Sequence, residues 1–385
     1  MVSVGDCHTV LLRSDGSAVA IGYNYAGQCN IPALDEGMAY TQVSAGGRHT
    51  VLLRSDGCAV AIGDNRFGQG NIPPLDEGIA YTQISAGAGH TALLRSDGNA
   101  VAIGDNGEGQ CNIPPLDDGI AYTQISAGSH HTVFLRSDGF AVAVGSDGFG
   151  RCSIPPLDQE ITYTHISAGA GHTVLLRSDG KAVAIGRNVD GQCSIPPLDR
   201  GITYMQISAG YDHTVLLRSD GFAVAIGRNI HGECSIPPLD RGITYMPVSA
   251  GDDHTVLLRS DGSAVAIGKN HQGQCNISLP EPGLCYEGDL ICGRHLALQL
   301  EFVGEGDAVT LICSTLSGEE RFRLTVEGVD SAWETHKRIA RDMNVNLPNL
   351  QLVLPDGQLV AKVRRANPGA SVAEVSQRTQ NLQLA

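Results

Sequence analysis

The stretch Gly171–Asn188, GHTVLLRSDGKAVAIGRN, holds a His, an Arg, an Asp and a Lys close together, the residue types from which active sites are made. The same residues recur along the chain. The His returns at His8, His49, His90, His131, His172, His213, His254 and His295, always 41 residues apart. Asp-Gly keeps the same step from Asp15 to Asp261, and a Tyr keeps it from Tyr40 to Tyr286. A catalytic group is needed once, whereas a structural group is needed in every unit of the same shape. The stretch therefore reads as building material, and function is sought where the repeat stops repeating.

Within a unit, Ile161–Gly169 (ITYTHISAG), His172–Ser178 (HTVLLRS) and Lys181–Gly186 (KAVAIG) read as three strands rich in β-branched and apolar residues. Asp179-Gly180 marks a hairpin, expected as a type I′ turn because both residues tolerate positive φ. The segment Arg187–Gly201, dense in Asn, Gly, Pro and Asp, is expected as a long surface connection with room for a short outer strand. A unit of three or four short strands with a period near 40 fits a propeller blade. Seven Tyr strands and seven Asp-Gly hairpins predict seven blades. The chain starts at MVSVGDCHTVLL without the Tyr-bearing strand, and Leu284–Leu300 is expected to return and supply it, which removes exposed strand edges.

Composition narrows the function. Of the formal charge of −15, −14 lies in residues 1 to 289, which disfavours binding to a phosphate backbone and suits proteins with basic surfaces. Six of the eleven Cys occupy one repeat position, too far apart between blades to bridge, so reduced thiols are expected. No C-x-x-C pair, no membrane-length apolar run and no secretory leader is visible, which points to the cytoplasm or nucleus. No cofactor, metal or catalytic motif stands out.

The pattern SAGxxHTvLLrsDGxAVAIGxNxxGQC, clearest from Ser167 to Cys193, resembles the repeat of the regulator of chromosome condensation family. It lacks the Trp-Asp signature of other propellers, and its compact CxIPPLDxG connection is similar to that of shorter-repeat bacterial members. A second segment, Ala308–Val360, resembles ubiquitin: a hairpin turning at Leu316–Gly318, a helix opened by a Ser331/Glu334 capping box with Trp333 and Ile339 on one side, then LQLVLPDGQLV. The resemblance places Leu316 and Val353 in an apolar recognition patch. The chain ends NLQLA without the Gly-Gly of a conjugable tag, so the module would be fixed.

The predicted architecture is thus an all-β seven-bladed β-propeller over residues 1–304, followed by a small α+β ubiquitin-like β-grasp domain over 305–385 with a flexible tail. The His array (His49, His90, His131, His172, His213 and His254 among it) is assigned to structure, with a ring of metal ligands as the alternative. Contact with partners is assigned to positions that vary. After the AIG glycine these are Tyr23, Asp64, Asp105, Ser146, Arg187, Arg228 and Lys269. Before the His they include Arg48, His130, Tyr211, Asp212, Asp252 and Asp253. In the PLDxG loop, Glu36, Glu77, Asp118, Gln159, Arg200 and Arg241 follow the same drift from acidic to basic. A docking face with an acidic and a basic arc is expected, or else aimless drift of a solvated surface.

The resulting function is a non-catalytic protein-interaction scaffold or adaptor. The ubiquitin resemblance implies ubiquitin receptors, ligases or proteasome components as partners. The repeat family implies two alternatives, nucleotide exchange on a small GTPase and inhibition of an enzyme. The unbroken 41-residue step leaves no room for the wedge insertion of the family's exchanger, and the lone Trp333 excludes the clustered-Trp light sensing of a plant relative.

Overall fold

The computed structural model describes residues 1–158, 160–278 and 284–286, together with the backbone of four later strands. The first compact unit, Met1–Gly288, contains seven three-stranded antiparallel sheets, one per repeat, in a propeller-like ring. In blade four the strands are Tyr122–Ala127, His131–Arg136 and Ala141–Gly145. Blade one uses Val2–Val4, His8–Leu12 and Ala18–Gly22.

The middle strand is buried on both faces, so its sequence runs apolar instead of alternating. Val133 and Leu135 pack with Tyr163, Ile166 and Leu175 of blade five, while Phe134 packs with Tyr122, Ile125 and Leu94 on the side of blade three. The core is therefore a set of layers between blades, and burying each Leu or Phe contributes about 2 kcal/mol. The inner strand carries a bulge between Tyr122 and Gln124. Its free amides reach across: Ala127 N donates to Ser85 Oγ at 2.9 Å, and Ile125 N to Gln83 Oε1 at 2.8 Å. The recurrent Tyr caps each layer, with Tyr122 Oη donating to Pro114 O at 2.8 Å.

Two local expectations change. The Asp-Gly hairpins are not type I′, because only the Gly has positive φ (82° at Gly139). Gly139 N donates to Arg136 O, and Arg136 N to Phe140 O, which is a three-residue loop closed by a glycine bulge. Asp138 stays at ordinary φ and accepts from Phe140 N and Arg136. The connection from Arg187 to Gly201 carries no strand; side-chain hydrogen bonds hold it as a turn.

The returning chain meets blade one at Cys285 and Tyr286: Ser14 N donates to Cys285 O at 3.0 Å, and Cys285 N to Ser14 Oγ at 3.2 Å. Tyr286 pairs with Arg13, and its hydroxyl donates to Ser278 O at 2.7 Å, as each earlier Tyr does to its own connection. Residues 287–295 of the expected closing segment lie outside the described residues. Leu296–Val303 pairs antiparallel with Ala308–Thr315 and parallel with Leu350–Val353, within the second unit, Asp289–Ala385. The boundary thus falls near Gly288, ahead of the expected 304/305. Truncating the strap by Tyr286→Ala should cost about 3 kcal/mol, the usual price of emptying an aromatic core site. Urea unfolding that matched the wild type would refute closure through this residue.

The second unit contains a four-stranded sheet in the order Glu320–Glu327, Ala308–Thr315, Leu296–Val303, Leu350–Val353. The hairpin expected around Leu316–Gly318 is present as the pairing of Ala308–Thr315 with Glu320–Glu327. Leu316 itself, the residues Ser331, Trp333, Glu334 and Ile339 of the expected helix, the tail, His295 and Gln159 lie outside the described residues. Val353 is described only as the end of its strand.

Candidate interaction face

At one end of each blade the middle strand starts with its His, which is paired with the last Gly of the outer strand, as His131 is with Gly145. Each His is buried, and its Nε2 meets the Thr hydroxyl of the next blade: His131 to Thr173 at 2.8 Å, and so round to His254 and Thr9 at 2.9 Å. Every such hydroxyl also donates to a backbone carbonyl, Thr173 Oγ1 to Arg151 O at 2.7 Å. A hydroxyl has one proton, so it must accept from Nε2–H. All seven imidazoles are therefore neutral Nε2–H tautomers, and burial holds their pKa values down to about 3 or 4. Each Nε2 is thus spent on a Thr, while each Nδ1 is buried without a hydrogen-bond partner; among the described residues no group of three His, Cys, Asp or Glu is placed to hold a metal ion.

Above this ring lies a second, made of backbone. Ser129 N donates to Gly169 O at 3.2 Å and Ala170 N to Gly210 O at 3.1 Å, a bond repeated at all seven junctions. The rim of residues such as Gly46, Gly87, Gly128 and Gly169 frames the channel mouth, which encloses about 360 Å³ of space open to solvent.

The variable positions before the His and after the AIG glycine come together around this mouth. Arg228 N donates to Asp212 O and Lys269 N to Asp253 O, so the two series are stitched to each other. The PLDxG series sits at the opposite end, beside the Arg-Ser-Asp-Gly tips, where Arg136 Nη2 bonds Asp117 at 3.0 Å and Asp138 at 2.7 Å. The two charge drifts thus occupy opposite faces of the ring.

The expected basic arc is also internally neutralised. Arg187 contacts Asp212 at 2.9 Å, Arg228 lies 3.9 Å from Asp212 and 3.8 Å from Asp253, and Lys269 contacts Asp253 at 2.8 Å. Asp212 is only 4% exposed and acts as an anchor within this chain of charges, not as a contact for a partner. On the acidic side, Asp64 is held by Arg66 at 2.7 Å, and Asp105 accepts from Gln110 Nε2 at 3.1 Å. Tyr211 is exposed, and Arg48 and His130 also reach the surface.

Sequence reasoning missed the outermost residues. In the GxNxxGQC turns the Asn and Gln, replaced by Asp147 and Arg151 in blade four and the Gln by Glu233 in blade six, do structural work: Asn24 Oδ1 accepts from Cys29 N at 2.9 Å, and Gln28 Oε1 from Ala26 N at 3.0 Å. The Cys donates to a backbone carbonyl, Cys193 to Arg187 O at 3.1 Å, and burial pushes its pKa up to about 11. The two residues after the Asn, or after Asp147 in blade four, vary most from turn to turn, and among them Arg66 is held by Asp64. There the chain places Tyr25, Phe67, Phe149, Val189 and Ile230, all well exposed, Tyr25 at 89%. Phe149 does so at φ 68°, a conformation that costs a bulky residue energy. The signal was present as apolar residues at the two most variable positions of a polar turn.

Residues 40–69, 81–110, 163–192 and 248–274 match the regulator of chromosome condensation (RCC1) repeat, so the chain carries RCC1 repeats. Among curated protein sequences none matches. The fold is that of Prp20p from Saccharomyces cerevisiae, a structure described with its binding to Gsp1p and histones: 18% identity, TM-score 0.58, 71% of this chain and 83% of that one. The ectodomain of the Physcomitrella patens receptor kinase CR4 aligns at 19% identity and TM-score 0.56 over 69% of this chain and 73% of its own. That of the Arabidopsis thaliana receptor kinase ACR4 aligns at 21% and 0.55 over 71% and 95%.

Proposed function

We propose that this chain is a non-catalytic protein-interaction scaffold whose propeller docks a protein across the channel-mouth face. The observation that carries the reading is the crown of exposed apolar residues, Tyr25, Phe67, Phe149, Val189 and Ile230, at five of the seven equivalent tips. Single exposed apolar residues are ordinary, whereas five in equivalent turns on one face, at the first position after the Asn (Tyr25, Val189, Ile230) or at the second (Phe67, and Phe149 after Asp147), are what a partner would cover. Aromatic anchors of this kind dominate the energy of protein interfaces. The polar rim between them, with most charges already paired, gives orientation more than strength.

The finer reading is an adaptor in ubiquitin signalling. It rests on the resemblance of residues 308 to 360 to ubiquitin: the propeller would hold one protein while the second unit engages a ubiquitin receptor, a ligase or a proteasome component. Two modules in one chain raise each other's effective concentration. Regulation of a small GTPase is a second reading, supported by the fold shared with Prp20p, whose description includes binding to Gsp1p.

The test is affinity capture with the full chain, wild type against Tyr25→Ser/Phe67→Ser/Phe149→Ser. These side chains are exposed, so stability should change by less than about 1 kcal/mol. Loss of three anchors should weaken capture of the propeller's partners at least about a hundredfold. Partners bound equally by both proteins would remove the crown from the proposal. If ubiquitin-pathway proteins stay with the variant, they belong to the second unit, and their absence from both captures would overturn the adaptor reading. A captured GTPase whose nucleotide release accelerates would replace scaffold with exchange factor.

A further inference from the structure

The residue directly after each rim glycine faces the channel mouth. Five consecutive blades put Gly47, Ala88, Ser129, Ala170 and Tyr211 there, none of them acidic. The two remaining blades, seven and one, carry Asp252 and Asp6, and these meet at the one junction that joins the two ends of the propeller chain. Their side chains hydrogen-bond each other. Two carboxyl groups can do so only if one supplies a proton, because a carboxylate has no donor. The backbone bonds of these two rim residues, Asp252 N to Gly5 O at 3.4 Å and Asp6 N to Gly46 O at 3.3 Å, are longer than the 3.0 to 3.2 Å of the other five.

We propose that Asp6 and Asp252 form a proton-operated latch on the ring's closing seam: with one proton shared they bridge blades seven and one, and without it they repel across the seam. The surrounding charges do not cancel this repulsion. Arg48, from blade two, lies near Asp6; Lys269 lies near Asp252 but is already paired with Asp253; Asp253 adds to the negative side, while burial raises the Cys7 thiol above its ordinary range and keeps it neutral. Burial first, and Asp6 second, raise Asp252 to about 8, and burial raises Asp6 as well. The opened seam exposes both groups to water, where an Asp titrates near 4. The closed seam binds the proton more tightly, so closure weakens as pH rises from about 4 and levels off beyond about 8.

Hydrogen exchange on the full chain tests this. The seam amides are Val4, which donates to Ser249 Oγ at 3.2 Å, and Asp252; the corresponding amides within the ring are Ala127 and Ala88. With each rate divided by its intrinsic rate, the ratio of seam to internal exchange should rise between pH 5.5 and 8, by up to about tenfold per unit. It should be flat in Asp252→Asn and in Asp6→Asn, where an amide replaces the shared proton, and should keep its slope in Asp253→Asn. A flat ratio in the wild type, or an unchanged slope in both amide variants, would overturn the latch. Should one amide variant fail to fold, the other and the wild-type profile still decide.

Discussion

Acidification from pH 7 will unfold the propeller in one steep transition near pH 5, with the uptake of close to seven protons. The seven ring histidines are fully buried, and burial depresses each from an ordinary value of 6.5 to about 3 or 4. The unfolded chain binds these protons first. The stabilisation from keeping imidazoles neutral is therefore fully present above pH 6.5 and is lost as pH falls toward the folded values. Each His loses about 1.4 kcal/mol per pH unit in that window, so seven lose roughly 9 kcal/mol per unit. A domain stabilised by 5 to 15 kcal/mol in all exhausts that within about half a unit to one and a half units below pH 6.5, the more stable end of that range reaching pH 5. The ring cannot adapt by turning a His over, because Nε2–H is committed to a Thr hydroxyl that itself donates elsewhere. Circular dichroism against pH, with proton uptake measured alongside, checks the result. A propeller still folded at pH 4, or a transition taking up one or two protons, would contradict it, as would nitrogen chemical shifts showing Nδ1–H tautomers at pH 7.

The repeat made the fold legible for a physical reason. A closed ring imposes the same contacts on every unit, so His, Thr, Gly and Tyr recur at positions where burial and hydrogen bonding permit no alternative. Strands such as Tyr163–Ala168 and His172–Arg177 fall within the expected segments. The type of hairpin was not legible, because Asp-Gly suits both a type I′ turn and the bulged loop that the structure shows. The candidate face was half legible. The variable positions Arg48, Tyr211 and Lys269 gather at the channel-mouth end of the blades, but sequence distance hides which charges pair, and Arg187 finds Asp212 across a blade boundary. The PLDxG series looked like part of the same gradient because one dimension cannot separate the two faces of a ring. At the closing junction, sequence showed that the ends should meet, yet not that Cys285 would bond Ser14 and Tyr286 pair with Arg13.

Gly128→Ala, the addition of one methyl group, should cost at least about 4 kcal/mol, a magnitude reserved for overpacking of a site with no room to yield. The new Cβ would press on the Gly169 carbonyl oxygen of the next blade and lie 2.7 Å from His131 Cε1. Neither obstacle can retreat. The carbonyl accepts from Ser129 N, and the imidazole is held by Thr173. In an open stack of blades the junction could widen. In a closed ring, widening one junction compresses the other six, each already built on the same glycine contact. Gly119→Ala is the informative comparison: Gly119 has φ 79° with nothing within 4 Å of the added atom. Its cost is conformational alone, about 1 kcal/mol. Urea unfolding at pH 7.5 should rank the two variants in that order, with the Gly128 variant largely unfolded or aggregated. If Gly128→Ala came within 1 kcal/mol of the wild type, the rim would have slack that these contacts deny, and the glycine would be recurrent for some reason other than the approach of neighbouring blades.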